Sequence, residues 1–378
     1  MRNKLSAKAK KIIKICVTVF LLLVIALLWA GALIAYDENF NQRFTSYEPK
    51  LLYLSDYDGL KRTQYQFTSN KKQKLTGYLY SSEKATAGLP GTTANGAAKG
   101  IIITAHGFGG GGHNSYMDVI NFFAEHGYLV FAYDATGNDE SQGLGRRNGV
   151  GGMPQGLIDL NYAISFVEES GNFPSLPIYL WGHSWGGYSV INVLSYHPEV
   201  KAVAEVAGFN SSSGMFIAGG KDIAGNFIYS LMPFLYLHEF FKYGKYSFST
   251  GVKGIRKTNA RVAIIHGMKD STVPVEYGYS IYYRQFKNNP RVTFMPYEEM
   301  NHSNILRSQQ GNDYNKAFNA EFDKWKSSLD YDYNAKENYD KFVQDKADYI
   351  HKNLNRELYC HTANEELLSR ILDFYEEN

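Results

Sequence analysis

Apolar positions recur along this chain in three rhythms. From Ile15 to Ala35 they form one run of 21 residues without a charge, ICVTVFLLLVIALLWAGALIA. At about 1.5 Å per residue, a helix of that length crosses a hydrocarbon core of about 30 Å. Leu60–Thr68 and Lys72–Tyr80 then alternate apolar and polar residues, with Ser69-Asn70-Lys71 between them, which predicts an antiparallel hairpin. From residue 100 onward, short apolar runs alternate with stretches of helical period. Strands are predicted at Gly100–Ala105, Tyr128–Tyr133, Ile178–Trp181, Ala202–Ala207, Arg261–Ile265 and Val292–Tyr297. Helices are predicted at Ser115–His126, Leu157–Glu169, Tyr188–Tyr196 and around Glu276–Phe286. This alternation implies an α/β fold, with a mainly parallel sheet covered by helices on both faces and the hairpin at one edge.

Four segments break the rhythm. Residues 37–58 read as a connector, and residues 81–99 are small and polar, hence a surface loop. Residues 210–258 hold ten aromatics, among them Phe227, Phe234, Phe240 and Phe241. A structureless loop of that length is improbable, so an inserted helical cap is predicted. Residues 312–378 carry 15 acids and 9 bases and are helical in pattern, ending in an apolar stripe of Leu367, Leu368, Ile371, Leu372 and Tyr375. The expected organisation is a basic terminus (1–14), a membrane-spanning signal-anchor (15–36), the connector (37–58), an α/β domain (59–311) and a helical extension packed on the sheet (312–378).

Charge sharpens the first of these. The 378 residues have 39 Lys and Arg against 37 Asp and Glu, a balance with no basic excess for nucleic acid. Residues 1–36 hold six bases (Arg2, Lys4, Lys8, Lys10, Lys11, Lys14) and no acid; Asp37 and Glu38 follow the apolar run. That asymmetry places the N-terminus in the cytoplasm and the remainder outside. The alternative is a signal peptide cleaved near Ala30-Gly31-Ala32, but the run exceeds the usual h-region. The two cysteines, Cys16 and Cys360, form neither a disulfide framework nor a metal motif.

The chemical signal is Gly182-His183-Ser184-Trp185-Gly186-Gly187, between an apolar strand and a helix. A serine on a tight strand-to-helix turn is held with its hydroxyl out of the sheet, and Gly182 and Gly186 fit where side chains would clash. The helix behind the turn favours developing negative charge. A serine hydroxyl needs a base to take its proton. Among ten histidines, His302 lies in a polar loop after the last apolar strand, where it can reach the sheet's C-terminal edge. His106 and His266 precede glycines at strand ends and are expected to shape their own loops, as is Asp134. His183 points away from the hydroxyl, Glu205 is a reserve acid, and His113 with glycines 109–112 reads as a flexible rim.

The elbow resembles that of the α/β-hydrolase superfamily. His106-Gly107-Phe108-Gly109 resembles its oxyanion loop. Asp134, Gly137, Ser141 and Gly143 resemble a stretch of the monoacylglycerol lipase and serine aminopeptidase branch. His266-Gly267-Met268-Lys269-Asp270, with Val273-Pro274, resembles its acid-bearing turn. The resemblance covers about residues 60–310. It implies Ser184 as nucleophile, His302 as base and Asp270 as the acid that orients it, in the chain order this fold uses. It also implies an oxyanion hole from the backbone N–H groups of Phe108 and Trp185. Bulky Trp185 is expected to narrow the acyl side.

The activity expected is hydrolysis of carboxylic esters of a hydrophobic or lipid-like molecule through an acyl-enzyme, with no cofactor and no metal. The membrane is the expected partner, through the N-terminal helix, and the aromatic cap is expected to cover the acyl group. One alternative is a serine aminopeptidase-type peptidase, whose cap carboxylates would be Asp222 and Glu239. Another is a non-catalytic interaction module, which would tolerate decay at Ser184, Asp270 or His302; all three are present.

Overall fold

The computed structural model describes residues 6–83 and 98–377. Most of the loop expected at 81–99, residues 84–97, lies outside the described residues. Eight strands form one sheet: β1 (Lys61–Thr68), β2 (Lys74–Ser81), β3 (Ile101–Ala105), β4 (Leu129–Tyr133), β5 (Ile178–His183), β6 (Ala202–Val206), β7 (Arg261–Gly267) and β8 (Val292–Tyr297). Their order is β1-β2-β4-β3-β5-β6-β7-β8. The hairpin β1–β2 joins β4 antiparallel, and every pairing from β4 to β8 is parallel.

The two-residue period of a strand divides the core in two. Ile101 and Ile103 of β3, Leu129 and Phe131 of β4, and Val262 and Ile264 of β7 face one apolar layer. Ile102, Val130, Ala263 and Ile265 face the other. That is why these strands read as continuous apolar runs. The first layer is covered by α3 (Pro154–Glu169), α4 (Trp185–Val193) and α8 (Tyr279–Phe286). The second is covered by α2 (Met117–Glu125) and α12 (Glu365–Glu376). The stripe of α12 is buried, and Tyr375 Oη donates to the carbonyl of Leu180 at 2.7 Å, at the centre of the sheet.

Helix α4 begins three residues before its predicted start, because Ser184 serves as its N-cap and the elbow glycines disguise its first turn. Helix α8 begins at Tyr279, after Gly278 breaks the predicted stretch. The 210–258 insertion comprises α5 (Ser212–Ala224), α6 (Ile228–Tyr243) and α7 (Gly251–Lys257). Ser211 and Thr250 cap α5 and α7 by accepting from Gly214 N–H and Lys253 N–H. The C-terminal region folds as α9 (Gln309–Ser327), α10 (Tyr339–Asn353), the short α11 (Arg356–Tyr359) and α12.

Helix α1 (Ala7–Phe40) has 34 residues and extends past the apolar run at both ends. It is long and apolar enough to cross a bilayer, and its most apolar stretch is buried nowhere in the molecule. Its C-terminal part lies parallel along α6. Trp29 stacks on Phe234 with centroids 6.4 Å apart, Tyr36 meets His238 edge-on at 4.7 Å, and Lys242 faces Asp37 at 4.0 Å. Buried Glu239 closes the contact, accepting from Tyr36 Oη at 3.1 Å and from Ser212 Oγ at 2.7 Å. Phe40 then reaches the loop after β3, 6.2 Å from Phe108.

Glu205 on β6 is wholly buried, and neither carboxylate oxygen has a well-formed hydrogen bond. Burial pushes its carboxyl up to about 8, with only the nearby Gly208 N–H acting against it. The folded state therefore holds a proton that the unfolded chain releases near its ordinary value. This contribution is present below the unfolded value and is lost as pH rises through about 8. Thermal unfolding of the chain should show stability falling by about 5 kcal/mol across that window. Glu205→Gln should flatten the decline; an unchanged slope would mean that Glu205 is not protonated in the fold.

Candidate active site

Ser184 sits between β5 and α4 with φ 59° and ψ −116°, a backbone region that side chains rarely occupy. Close packing holds it there. A Cβ on Gly182 would collide with the backbone of Gly186, and one on Gly186 with the carbonyl of Ala105. The Ser184 N–H donates to Val206 O at 2.9 Å, tying the turn to β6. The hydroxyl faces a cavity of about 390 Å³ at the C-terminal ends of the parallel strands, which His302 also lines. No hydrogen bond joins Ser184 Oγ to His302 among the described residues; such contacts commonly tighten only when substrate binds.

Asp270 and His302 are paired. Asp270 Oδ2 accepts from His302 Nδ1 at 2.7 Å. Its Oδ1 accepts from the N–H groups of Thr272 at 2.9 Å and Val273 at 2.8 Å. The Asp270 side chain is fully buried and that of His302 is 12% exposed, so the imidazole presents its other nitrogen toward the cavity side. This bonding fixes the tautomer in which Nε2 is free to accept a proton. The N–H groups of Phe108 and Trp185 donate to nothing among the described residues, which leaves both available to an oxyanion.

A chain of hydrogen bonds joins the three loops that carry these groups. Gly107 N–H donates to Tyr116 Oη at 3.0 Å, and Tyr116 Oη donates to His183 Nδ1 at 3.0 Å. His183 Nε2 donates to the carbonyl of His302 at 2.8 Å. Burial, and next the neighbouring His302, pushes His183 down to about 3. It is therefore neutral, as one donor and one acceptor require. His183 does point away from the hydroxyl, yet it fixes the backbone of His302. Tyr116 was missed in the sequence, where it reads as one more aromatic at the start of a helix.

Three further histidines near the site brace its loops. His106 donates from Nδ1 to Gly107 O at 2.8 Å and accepts from Ala135 N–H at Nε2, 2.9 Å. His266 Nε2 lies 2.9 Å from Val273 O, bracing the turn that carries Asp270. Of the rim expected at His113 and glycines 109–112, Gly109 and Gly110 are exposed, but His113, Gly111 and Gly112 are tightly packed. His113 is buried between Asp134 and Tyr80 Oη, at 2.7 Å from each. A Cβ on Gly111 would strike Ser46, and one on Gly112 would strike Asp134. Burial alone would raise the Asp134 carboxyl, but His113 outweighs it and holds it below the usual range.

Two further expectations are corrected. Trp185 does not narrow the cavity: its ring is buried beneath the loop, edge-on to Phe108 at 5.5 Å, and its Nε1 donates to Met153 O at 2.8 Å. The aromatic cap does not cover the cavity either. No residue of 210–258 lines it; the far wall comes from the connector, with Tyr47, Lys50 and Leu52, from the loop after β8, with Arg307, and from the C-terminal region, with Tyr359 and Thr362. Glu239 is occupied by Tyr36 and Ser212. Glu205 makes no bond to His302. The one candidate metal cluster among the described residues, Glu168, His197 and Glu199, has its ligand atoms within 4.8 Å of one another. Two of its members flank Ile178, at the end of β5 opposite Ser184.

With this geometry in view, the relatives are informative. The serine aminopeptidase S33 family of hydrolases matches residues 96–239. A caffeoylshikimate esterase of Arabidopsis thaliana is 29% identical over 102 residues, 27% of this chain and 30% of that protein. The match thus spans less than a third of that relative's length. An esterase structure from Pyrococcus furiosus superposes with a TM-score of 0.51 at 20% identity, covering 75% of this chain and 97% of that one. A second crystal form of it gives 0.50 at 19% identity, with coverage of 75% and 96%. At such identity the structural likeness is one of fold. The chain is an α/β-hydrolase in fold, and these matches support a hydrolytic enzyme of that superfamily.

Tyr116→Phe removes both the acceptor for Gly107 N–H and the donor to His183. The expected result is a fall in kcat of roughly tenfold, in line with the net worth of a buried hydrogen bond or two. KM should stay nearly constant, and the unfolding temperature should fall by no more than a few degrees. Because His183 is already neutral above about 3, the pH–rate profile should drop in height without moving its acid limb. A fall in kcat that tracks the loss of thermal stability would instead mark Tyr116 as packing alone.

Proposed function

We propose that this chain is a membrane-anchored serine esterase that cleaves carboxylic esters of hydrophobic or lipid-like molecules through an acyl-enzyme, with its catalytic domain outside the cytoplasm. The observation that carries this reading is the shared cavity of Ser184 and His302, with His302 held by Asp270 at 2.7 Å. In this scheme His302 Nε2 takes the hydroxyl proton as Ser184 Oγ attacks the ester carbonyl carbon. The carbonyl oxygen becomes an oxyanion and is met by the N–H groups of Phe108 and Trp185. Collapse breaks the bond to the alkoxy group, which leaves as the alcohol with the proton from His302. Water, deprotonated by His302, then attacks the acyl-enzyme and releases the acid and Ser184.

Esters are favoured over N-terminal peptides by the state of the carboxylates. Within the cavity the one carboxylate, Asp118, is bonded to Tyr57, His361 and Thr362. In the cap, Glu239 is buried, and the exposed Asp222 does not line the cavity. Neither offers a seat for a substrate amine. Retention of the anchor is supported by its contacts: cleavage near residues 30–32 would remove Trp29 from Phe234. The lipid-like substrate class is supported by the nearness of Phe40, in the last turn of α1, to Phe108 at the cavity. A site so close to the anchor meets esters at the bilayer surface.

Ser184→Ala should lower hydrolysis of 4-nitrophenyl butyrate by at least about a thousandfold and abolish labelling by a fluorophosphonate. Full retained activity would refute the assignment. For the location, protease added to intact cells should digest the domain beyond residue 40. A domain that is cut only after lysis would contradict the outward orientation.

A further inference from the structure

The cavity that holds Ser184 and His302 also holds two cations that have no carboxylate partner among the described residues. Lys50 comes from the connector and Arg307 from the loop between β8 and α9. Neither has a carboxylate within 4.0 Å among the described residues, and neither does Lys346, which lies over the ring of Tyr47 at the rim, 4.6 Å from its centroid. Arg307 is half-buried, and its guanidinium makes no hydrogen bond to any described residue. Other arginines of this chain are engaged: Arg356 binds Asp56, Arg261 binds Glu377 and Arg147 binds Glu38. The Lys50 ammonium lies 5.4 Å from the centroid of Phe318. Burial first, and then Lys346 and Arg307, hold Lys50 below its ordinary value.

One acid shares the cavity. Asp118 accepts from Tyr57 Oη at 2.5 Å, from the N–H groups of His361 and Thr362 at 2.9 Å each, and from Thr362 Oγ1 at 3.0 Å. Its charge is spent on fastening the C-terminal region to α2. Cations gathered in a partly desolvated pocket repel one another, and such an arrangement is costly unless an anion completes it. A guanidinium fork matches carboxylate and phosphate oxygens, and a lysine beside it adds a mobile point charge.

We propose that Lys50 and Arg307 form an anion subsite of the catalytic cavity, which holds a carboxylate or phosphate group of the ester substrate. This rests on the esterase reading of Ser184 and narrows it: the substrate is an anionic ester. Lys346 adds long-range attraction from the rim. Lys50 precedes the sheet in sequence and Arg307 follows its last strand, so the subsite exists only because the connector and the loop after β8 meet over the cavity.

The test compares kcat/KM for matched esters. One arm sets 4-nitrophenyl butyrate against the mono-4-nitrophenyl ester of glutarate, which adds a carboxylate. The other sets 1-acylglycerol against 1-acylglycerol 3-phosphate, which adds a phosphate. In at least one arm the anionic ester should be preferred by about tenfold or more, and the preference should shrink at about 0.5 M sodium chloride. Arg307→Gln and, separately, Lys50→Gln should each reduce the preference by roughly tenfold, with Arg307→Lys between them and wild type. No preference in either arm overturns the proposal, and so does an equal loss on neutral and anionic esters. Calorimetry on Ser184→Ala, with glutarate and with glycerol 3-phosphate, reads the subsite without turnover. Binding there that Arg307→Gln abolishes supports the subsite even if the wild type hydrolyses no ester, a result that would sink the esterase reading alone. Active wild type with no anion bound and no anion preference sinks the subsite alone.

Discussion

The site depends on one strained residue. Ser184 occupies a backbone conformation that costs on the order of 1–3 kcal/mol, and it persists because neighbouring strands leave it no alternative. The parallel register sets Ala105 beside Gly182 and His183 beside Val206, so the ends of β3, β5 and β6 close around the turn. The glycines at 182 and 186 let three backbones approach one another there, and the Ser184 N–H is used by β6. The two apolar layers of the sheet supply the rigidity that pays for this strain. The hydroxyl is thereby aimed before any substrate arrives.

Around that fixed point the polar groups work as one unit. His302 is held twice, by Asp270 through its ring and by His183 through its carbonyl. His183 is tied through Tyr116 to Gly107, next to the proposed oxyanion donor Phe108. The turn of Ser184 and the loops of His302 and Phe108 therefore share one hydrogen-bonded frame. The wall facing them is built from outside the core: Leu52 is clasped by Asn114, and Arg356 fastens Asp56 of the connector to α11. In the proposed scheme, chemistry and selectivity have separate origins: the sheet edge positions the reacting groups, while the connector, the loop after β8 and the C-terminal region line the cavity beside them.

The strands and most helices were legible in sequence, because residues buried on both faces leave uninterrupted apolar runs such as Ile101–Ile103 and Leu129–Ala132. The elbow was legible because its glycines have a steric purpose. Helix α4 was read late for the same reason, since glycine and serine mask a helix that begins at the strained turn of Ser184. What stayed hidden was relational. Nothing in a run of aromatics says that Tyr116 reaches His183, and nothing in Trp185 reveals that its ring turns inward. The cap was legible as helix but not in its placement. Its aromatics were expected above the cavity, whereas Phe216 and Phe234 pack against α1. Pattern reports that a face is apolar; only tertiary structure reports what it meets.

The rod-like α1 has a mechanical consequence. Its 34 residues span about 50 Å at helical rise. One end touches the loop bearing Phe108 through Phe40, and its flank is clamped to α6. A pivot of roughly 10° would swing a lever of that length by about 9 Å at its tip. Bilayer thickness governs how far such a helix leans. On the membrane reading proposed above, a lean that the clamp fails to absorb would be delivered as stress on the loop bearing Phe108.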